Sequence, residues 1–414
     1  MSKDDFDFLN SDIWLNYTQQ SYRSPEEIRY RLQEKNKKPK DWESVARKIV
    51  AIRKTNAITL FIDSIAPRFW FYPADSILRK INEIDRIGTA LYERIRRATF
   101  EQEFLLNSRI EEAITSAIYE GAHSTRAQAK QLIASKETPK NKDEWMLINN
   151  LLAMNWVKDH NQETLSKDTI LTLHEIVTRN TLEGDDVNYS GRFRDDTVSV
   201  GPHEGIQYDL IETAINQMIK LITQNRRYIH PIIRGVLIHY FIAYIHPFFD
   251  GNGRTARALF YFKSMKHNLK YVELLSVSAY LKQHGEQYEK AFQKVVENEY
   301  DVTYFIDFCL DSMLSALKQV EKKITYLIRM ADLKQRFKLN DNQLGLLQRM
   351  ALNKFRFVHI EEYAAQIKMS RETARQDLKE LQDQGLLIEF KSGKKLCYKV
   401  NAEKLRELYK DPGV

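Results

Sequence analysis

Between Ile232 and Ile245 the chain is apolar nearly all the way round a helical wheel, a pattern stable in water only where neighbouring elements cover every side of the helix. The run "GVLIHYFIAYIHPFF" is too short to span a bilayer and contains two histidines and a proline, so it predicts a buried central helix rather than a membrane span. Pro231 suits the first helical position, where its missing N–H is no loss. At the other end His246 precedes Pro247, and a proline ring disfavours the α conformation in the residue before it. The helix therefore stops with an imidazole at its end. A second helix opens near Asn252 or Gly253 and runs through "RTARALFYFKSM".

The covering elements are also mostly helical. Ile77, Ile81, Ile84, Ile87, Leu91 and Ile95 recur at steps of three and four, which puts them on one helical face. "SRIEEAITSAIYEG" carries Ile110, Ile114, Ala117 and Ile118 on one face and stops at Gly121, a residue suited to the C-terminal cap. Helical periodicity continues from Glu144 to Leu182. "APRFWFYPAD" reads as an aromatic turn bracketed by prolines. "NYSGRFRDDTVSVGP" breaks the helical pattern, and the alternation Thr197, Val198, Ser199, Val200 predicts a short strand or hairpin. Cys309 and Cys397 lie far apart without partners at metal spacing and read as reduced core residues. His230 and His239 have no acid or cysteine partner at motif spacing and read as structural.

Near Asn340 the texture changes. "DNQLGLLQRMALN", "HIEEYAAQIKM" and "SRETARQDLKELQDQG" predict three short helices, followed by a two-stranded hairpin with a basic turn. That order is a winged helix-turn-helix, with Ser370 as N-cap of the third helix and Gly385 as its stop. Arg371, Arg375 and Lys379 on that helix, with Lys391, Lys394 and Lys395 in the wing, form the pattern a phosphate-contacting surface requires, although Glu372, Asp377 and Glu380 dilute it. The net charge of +7 over 414 residues suits a polyanion partner and an ordinary surface alike. DNA and a protein both remain open as its partner. The start "MSKDDFDFLNSD" has neither a basic region nor an apolar one, so no signal peptide and a cytoplasmic location are expected.

Between the two central helices stands "HPFFDGNGRTAR", His246 to Arg257. N–H groups at the start of a helix point out of its end, where the helix dipole attracts anions, and Gly251 and Gly253 let phosphate approach the backbone. Arg254 and Arg257 are three apart, hence on one face, and guanidinium forks match phosphate oxygens. Asp250 is placed to hold Mg²⁺, a hard cation that binds carboxylate and phosphate oxygens together. His246 can take a proton from an attacking hydroxyl. The chemistry implied is phosphoryl or nucleotidyl transfer to an alcohol.

These residues match the signature H-x-F-x-D/E-G-N-G-R-x-x-R at every defined position, and the region from about residue 100 to 310, with "YSGRFR", resembles the Fic family. The resemblance implies a mainly α-helical Fic-type core with a short β-hairpin flap, and transfer of AMP from ATP to a Ser, Thr or Tyr hydroxyl of a protein. It would make His246 the catalytic base, Phe248 an anchor of the loop and Asp250 the Mg²⁺ ligand. Asn252 with the backbone at Gly251 and Gly253 would line the anion hole, Arg254 and Arg257 would meet the outer phosphates, and Thr197, Val198, Ser199, Val200 and Gly201 would form the flap that docks the target. An intact Gly253 favours AMP transfer over the family's kinase-like branch.

"SAIYEG" sets Ser116 and Glu120 four residues apart on one helical face and leaves an acid in the last turn, where the helix end is already partly negative. It also matches the family's inhibitory pattern S/T-x-x-x-E-G/N. The resemblance then implies that Glu120 pairs with Arg257 and excludes the ATP γ-phosphate. The expected organisation is an N-terminal helical region 1–99, a catalytic domain 100–320 containing an inhibitory helix 108–121, a connecting helix 321–339 and a winged module 340–414. Expected partners are ATP, a protein with an acceptor hydroxyl (the chain itself included) and DNA through the winged helix. No membrane contact is expected, and self-association is left open. Two rivals stand: a nucleotide-sensing DNA-binding regulator without catalysis, and a Fic enzyme that removes AMP.

Overall fold

A computed structural model describes the chain except for residues 1–6, 61, 63, 64, 66, 67, 99, 100, 136, 201, 202, 225, 226, 267, 268, 352–356, 393, 394 and 405–414. It divides into two compact units, Met1–Val320 and Glu321–Val414. Both are built mainly of helices with small antiparallel sheets. Among the described residues no helix is long and apolar enough to cross a membrane.

In chain order the first unit contains α1 (Pro25–Glu34), α2 (Trp42–Asn56), β1 (Ile58–Leu60), β2 (Phe69–Phe71), α3 (Asp75–Arg96) and α4 (Glu101–Tyr119). Then follow α5 (Lys142–His160), α6 (Lys167–Thr178), β3 (Ser199–Val200), β4 (His203–Glu204), α7 (Ile211–Gln224), α8 (Pro231–Ile245), α9 (Asn252–Met265), α10 (Val277–Gln283), α11 (Gly285–Glu297) and the part up to Val320 of α12 (Thr303–Arg336). Pro231 occupies the first turn of α8, and eleven of its fifteen residues are buried, as a helix apolar on every side requires. The α9 helix packs against α8, α5 and α6 and is buried along almost its whole length. Tyr240, Phe241, Phe292 and Phe305 make an aromatic cluster beside α8.

Two readings of the sequence are corrected here. The segment read as an aromatic turn contains β2, whose three residues are all buried and pair with β1 in the register Ile58↔Phe71, Thr59↔Trp70 and Leu60↔Phe69. Flanking prolines suggested a turn, but three consecutive rings gain more from burial as a strand than they could at a surface bend. The stretch from Glu144 to Leu182 is two helices, because Ser166 opens α6 with a capping box through Thr169. The periodicity of α3 is as read: Ile77, Ile81, Ile84, Leu91 and Ile95 are buried.

From Glu321 onward the last part of α12 is grouped with α13 (Asp341–Ala351), β5 (Val358–His359), α14 (Ile360–Ile367), α15 (Arg371–Asp383), β6 (Leu387–Ser392) and β7 (Lys395–Val400). Ser370 caps α15 by accepting the Thr373 N–H, and Gly385 follows with φ of 72°. The wing is a three-stranded sheet in the order β5-β7-β6 rather than a bare hairpin. Val358 and His359 were invisible as a strand because only two residues pair with Tyr398 and Cys397. Met330 and Leu333 of α12 join Leu346, Tyr363, Leu378 and Leu386 in this unit's own core.

Candidate functional site

The loop between α8 and α9 is shaped by two left-handed residues. His246 ends α8 at φ 51°, ψ 60°, so the chain turns sharply into Pro247, and Gly251 precedes α9 at φ 82°. A Cβ on Gly251 would also approach Thr178 Cγ2 to 2.7 Å, which explains glycine there twice over. Between them Phe248 is wholly buried. The Asn252 side chain closes the loop, accepting the Phe248 N–H at 3.0 Å and donating to the Phe248 carbonyl at 2.7 Å. The Asn252 amide thus holds the loop with its oxygen and one of its two N–H groups, while its backbone N–H lies in the first turn of α9. Ring atom Nδ1 of His246 lies 3.2 Å from the Ala243 carbonyl. A carbonyl only accepts, so Nδ1 carries a proton, and in the neutral form of the ring the lone pair is on Nε2.

The two arginines are both 2% exposed and reach different elements. Arg254 donates to the Val177 carbonyl at 2.9 Å and pairs with Asp250 at 3.0 Å. Burial would raise the Asp250 carboxyl, but the neighbouring Arg254 and the Gly251 N–H hold it below its ordinary value. Both contacts fall on Oδ1, and among the described residues none donates to Oδ2. Arg257 turns toward α4: its Nε donates to Ser116 Oγ at 2.9 Å, and it pairs with Glu120 at 2.8 Å. Ser116 and Glu120 thus meet Arg257 from one helical face, and the acid at the negative end of α4 finds its counter-charge there. Gly253 lets this happen, since a Cβ at that position would collide with the Glu120 carboxylate.

The segment Thr197–Val200 enters a two-stranded hairpin in which Ser199 pairs with Glu204 and Val200 with His203; Thr197 and Val198 precede the strand, and Gly201 lies outside the described residues. The Gly205 N–H extends the hairpin by donating to the Val198 carbonyl, and the Ile206 N–H ties it to the end of α8 by donating to the Ile245 carbonyl. Among the described residues there is no cluster of three or more His, Cys, Asp or Glu able to hold a metal.

A family model described as Fic/DOC matches residues 164–262, and a DeoR-like helix-turn-helix model matches residues 347–399. This chain carries a Fic/DOC-family domain. Over 154 residues it is 30% identical to a protein adenylyltransferase Fic from Aedes aegypti, covering 36% of this chain and 29% of that protein. A protein of the same name from Nematostella vectensis is 36% identical over 100 residues, 23% of this chain and 22% of that one. The matched part is thus under a third of either relative. In fold, a Fic family protein from Desulfovibrio desulfuricans superimposes with a TM-score of 0.51 at 16% identity, covering 79% of this chain and 96% of that one. Residues 134–508 of Fic-1 from C. elegans give 0.52 at 16% identity, covering 73% and 88%.

Two residues of the Fic domain that sequence reasoning passed over shape its motif. His174 of α6 is 1% exposed and stacks flat on Phe248, with centroids 3.6 Å apart and planes within 3°. Its Nδ1 accepts the Gly191 N–H at 3.0 Å and its Nε2 donates to the Asp250 carbonyl at 2.9 Å. Burial lowers its pKa to about 4, so it is a neutral spacer. Arg194, also 2% exposed, donates to the His246 carbonyl at 2.8 Å and to the carbonyls of Asp196 and Ile206. The quoted "YSGRFR" contains Gly191 and Arg194, and a buried arginine with only carbonyl partners leaves no charge pattern to read. His239, read as structural, is buried against the Tyr288 hydroxyl at 2.9 Å, and burial with the Arg257 charge lowers its pKa to about 3.

Proposed function

We propose that this chain transfers AMP from ATP to a protein hydroxyl and that Glu120 restrains it. The observation that carries this reading is the Glu120–Arg257 ion pair at 2.8 Å, with Ser116 on the same guanidinium. A phosphate-binding arginine whose charge is already neutralised cannot receive the γ-phosphate, so the rest of the polyphosphate cannot settle in line for attack. In the released state Arg257 would meet the outer phosphates, and the first-turn N–H groups of α9 would face the chain of phosphates. The hydroxyl loses its proton to Nε2 of His246 as its oxygen bonds to the α-phosphorus. The bond from that phosphorus to the bridging oxygen breaks, and pyrophosphate leaves. The flap edge at Ser199–Val200 would hold the target strand through backbone hydrogen bonds that demand little of its sequence.

The residues fit Mg²⁺. A single carboxylate is the usual protein share of a site completed by phosphate oxygens and water, and Asp250 keeps Oδ2 for it. When bound, the ion supplies charge neutralisation on the phosphates. Incubation with ATP and Mg²⁺ followed by intact-mass measurement tests the transfer: a gain of one AMP supports it, and a gain of one phosphoryl group speaks for kinase-like chemistry instead.

A specific observation also favours DNA as the partner of the winged module. Asp377 is buried and accepts from Asn340 at 2.8 Å and Tyr363 at 3.0 Å, while Glu380 accepts from Gln343 at 2.7 Å. One of the acids that dilute the charge in the sequence, Asp377, is therefore turned into the module, and Glu380, though exposed, is held by Gln343, whereas Arg371, Arg375 and Lys379 are exposed, as are Lys391 and Lys395 of the wing. Lys394 lies outside the described residues. Replacing Arg371, Arg375 and Lys379 by alanine is expected to weaken binding to duplex DNA and to flatten its salt dependence, each lost phosphate contact removing about 0.9 from the log–log slope. Absence of any DNA binding by the unsubstituted protein at low salt would make the module a protein-contacting one.

A further inference from the structure

The apolar side of α4 packs Ile110, Ile114 and Ala117 against Met146 and Leu147 of α5. On that side one directional bond joins the two helices, Asn150 Nδ2 to the Ala113 carbonyl at 3.3 Å, the rest being apolar packing. More directional bonds lie on another face. Arg109, Glu112, Ser116 and Glu120 follow at steps of three and four and lie along one stripe, with Thr115 beside it. Arg109 pairs with Glu273 at 3.6 Å, and Thr115 Oγ1 lies 3.3 Å from Ser276 Oγ. Glu112, only 2% exposed, accepts from Ser276 Oγ at 3.1 Å, from the Ser278 N–H at 3.1 Å and from Ser278 Oγ. One buried carboxylate thus gathers three donors from the start of α10. Burial raises the Glu112 carboxyl above its ordinary value, while Ser278 and the charge of Arg257 pull it back.

We propose that Glu112 is the positioning residue of the restraint: by locking α4 to α10 it sets the rotation and height at which Glu120 meets Arg257. This rests on the reading of Glu120 as the restraint. Two turns separate Glu112 from Glu120, so a small rotation at the joint moves the far carboxylate away from Arg257. Glu112 does not replace Glu120 when Glu120 leaves, because both of its oxygens are engaged by serine donors. Loosening the joint therefore frees Arg257 without touching any residue that would contact ATP.

The test is a double-substitution cycle. Glu112→Gln keeps the shape but turns an amide N–H₂ toward donors, leaving buried groups unsatisfied. Alone it is expected to raise automodification about five- to thirtyfold and to speed hydrogen exchange of the amides from Ser116 to Glu120. Combined with Glu120→Gly it is expected to add nothing, since no restraint is left to loosen. An equal fall in both backgrounds would make Glu112 general scaffolding and overturn the proposal, as would unchanged activity and exchange in a folded Glu112→Gln protein. If that protein does not fold, Ser278→Ala, which removes one donor and leaves the charge, decides: a smaller rise supports the proposal and no rise overturns it. If Glu120→Gly itself transfers nothing from ATP, the adenylyltransferase reading fails, and the exchange of α4 still decides whether Glu112 holds the helix.

Discussion

Glu120→Gly is expected to raise automodification by roughly two to three orders of magnitude while lowering the stability of the folded chain. Both effects come from one ion pair. Arg257 is 2% exposed, and a guanidinium so buried stays paired or strongly hydrogen-bonded. Removing Glu120 leaves that charge with the hydroxyl and carbonyl of Ser116 and the ring of Tyr119, at a cost of about 1–3 kcal/mol in unfolding free energy. ATP then supplies the missing anion instead of competing with a carboxylate for it, and a few kcal/mol of relieved competition corresponds to about 10²–10³ in rate. Denaturant unfolding without nucleotide should therefore show a less stable protein, and saturating ATP should restore part of the difference. A substitution that merely damaged the fold would lower stability and activity together. If activity in saturating ATP and Mg²⁺ does not rise, Glu120 is a counter-ion of structural use only.

In the Glu120→Gly background, replacing His246 is expected to lower transfer at least about 100-fold while ATP binding persists, the range in which a positioned general base contributes. The left-handed backbone of His246 makes the choice of replacement matter. Alanine at φ 51° is strained by about 1–2 kcal/mol, and asparagine tolerates that region well. His246→Asn therefore separates the proton-accepting role from the shape of the turn. Loss in both variants, with ATP affinity kept within a few-fold, assigns the effect to the imidazole. Loss in the alanine variant alone would assign it to the loop.

What the sequence revealed was local. The ends of α8 and α9 could be read because Pro231, Pro247 and Gly251 act on their own neighbours in the chain, and the stripe holding Ser116 and Glu120 follows from helical spacing. The winged order was legible for the same reason, through Ser370 and Gly385. Long-range partners were hidden. His174 reaches Gly191 and Asp250, Arg194 reaches the carbonyl of His246, and Glu112 reaches Ser276 and Ser278. Each is a polar side chain inside a helical or loop pattern that looks ordinary until its partner, far along the chain, is folded against it. Asn252 was assigned to the anion because of its motif, and its second task, holding the backbone of Phe248 four residues earlier, could not be read from it. The buried strand Phe69–Phe71 was masked by proline-rich flanks, which signal a turn more strongly than three rings signal burial.

The central claim is that this site moves AMP, and that His246 moves it. Intact-mass measurement of Glu120→Gly protein after incubation with ATP and Mg²⁺, beside the same protein carrying His246→Asn, tests it most directly. The account expects species heavier by whole numbers of AMP in the first sample and none in the second, with peptide mapping placing the adduct on Ser, Thr or Tyr hydroxyls. An unmodified mass in the first sample, or the same AMP adduct in both, would contradict it.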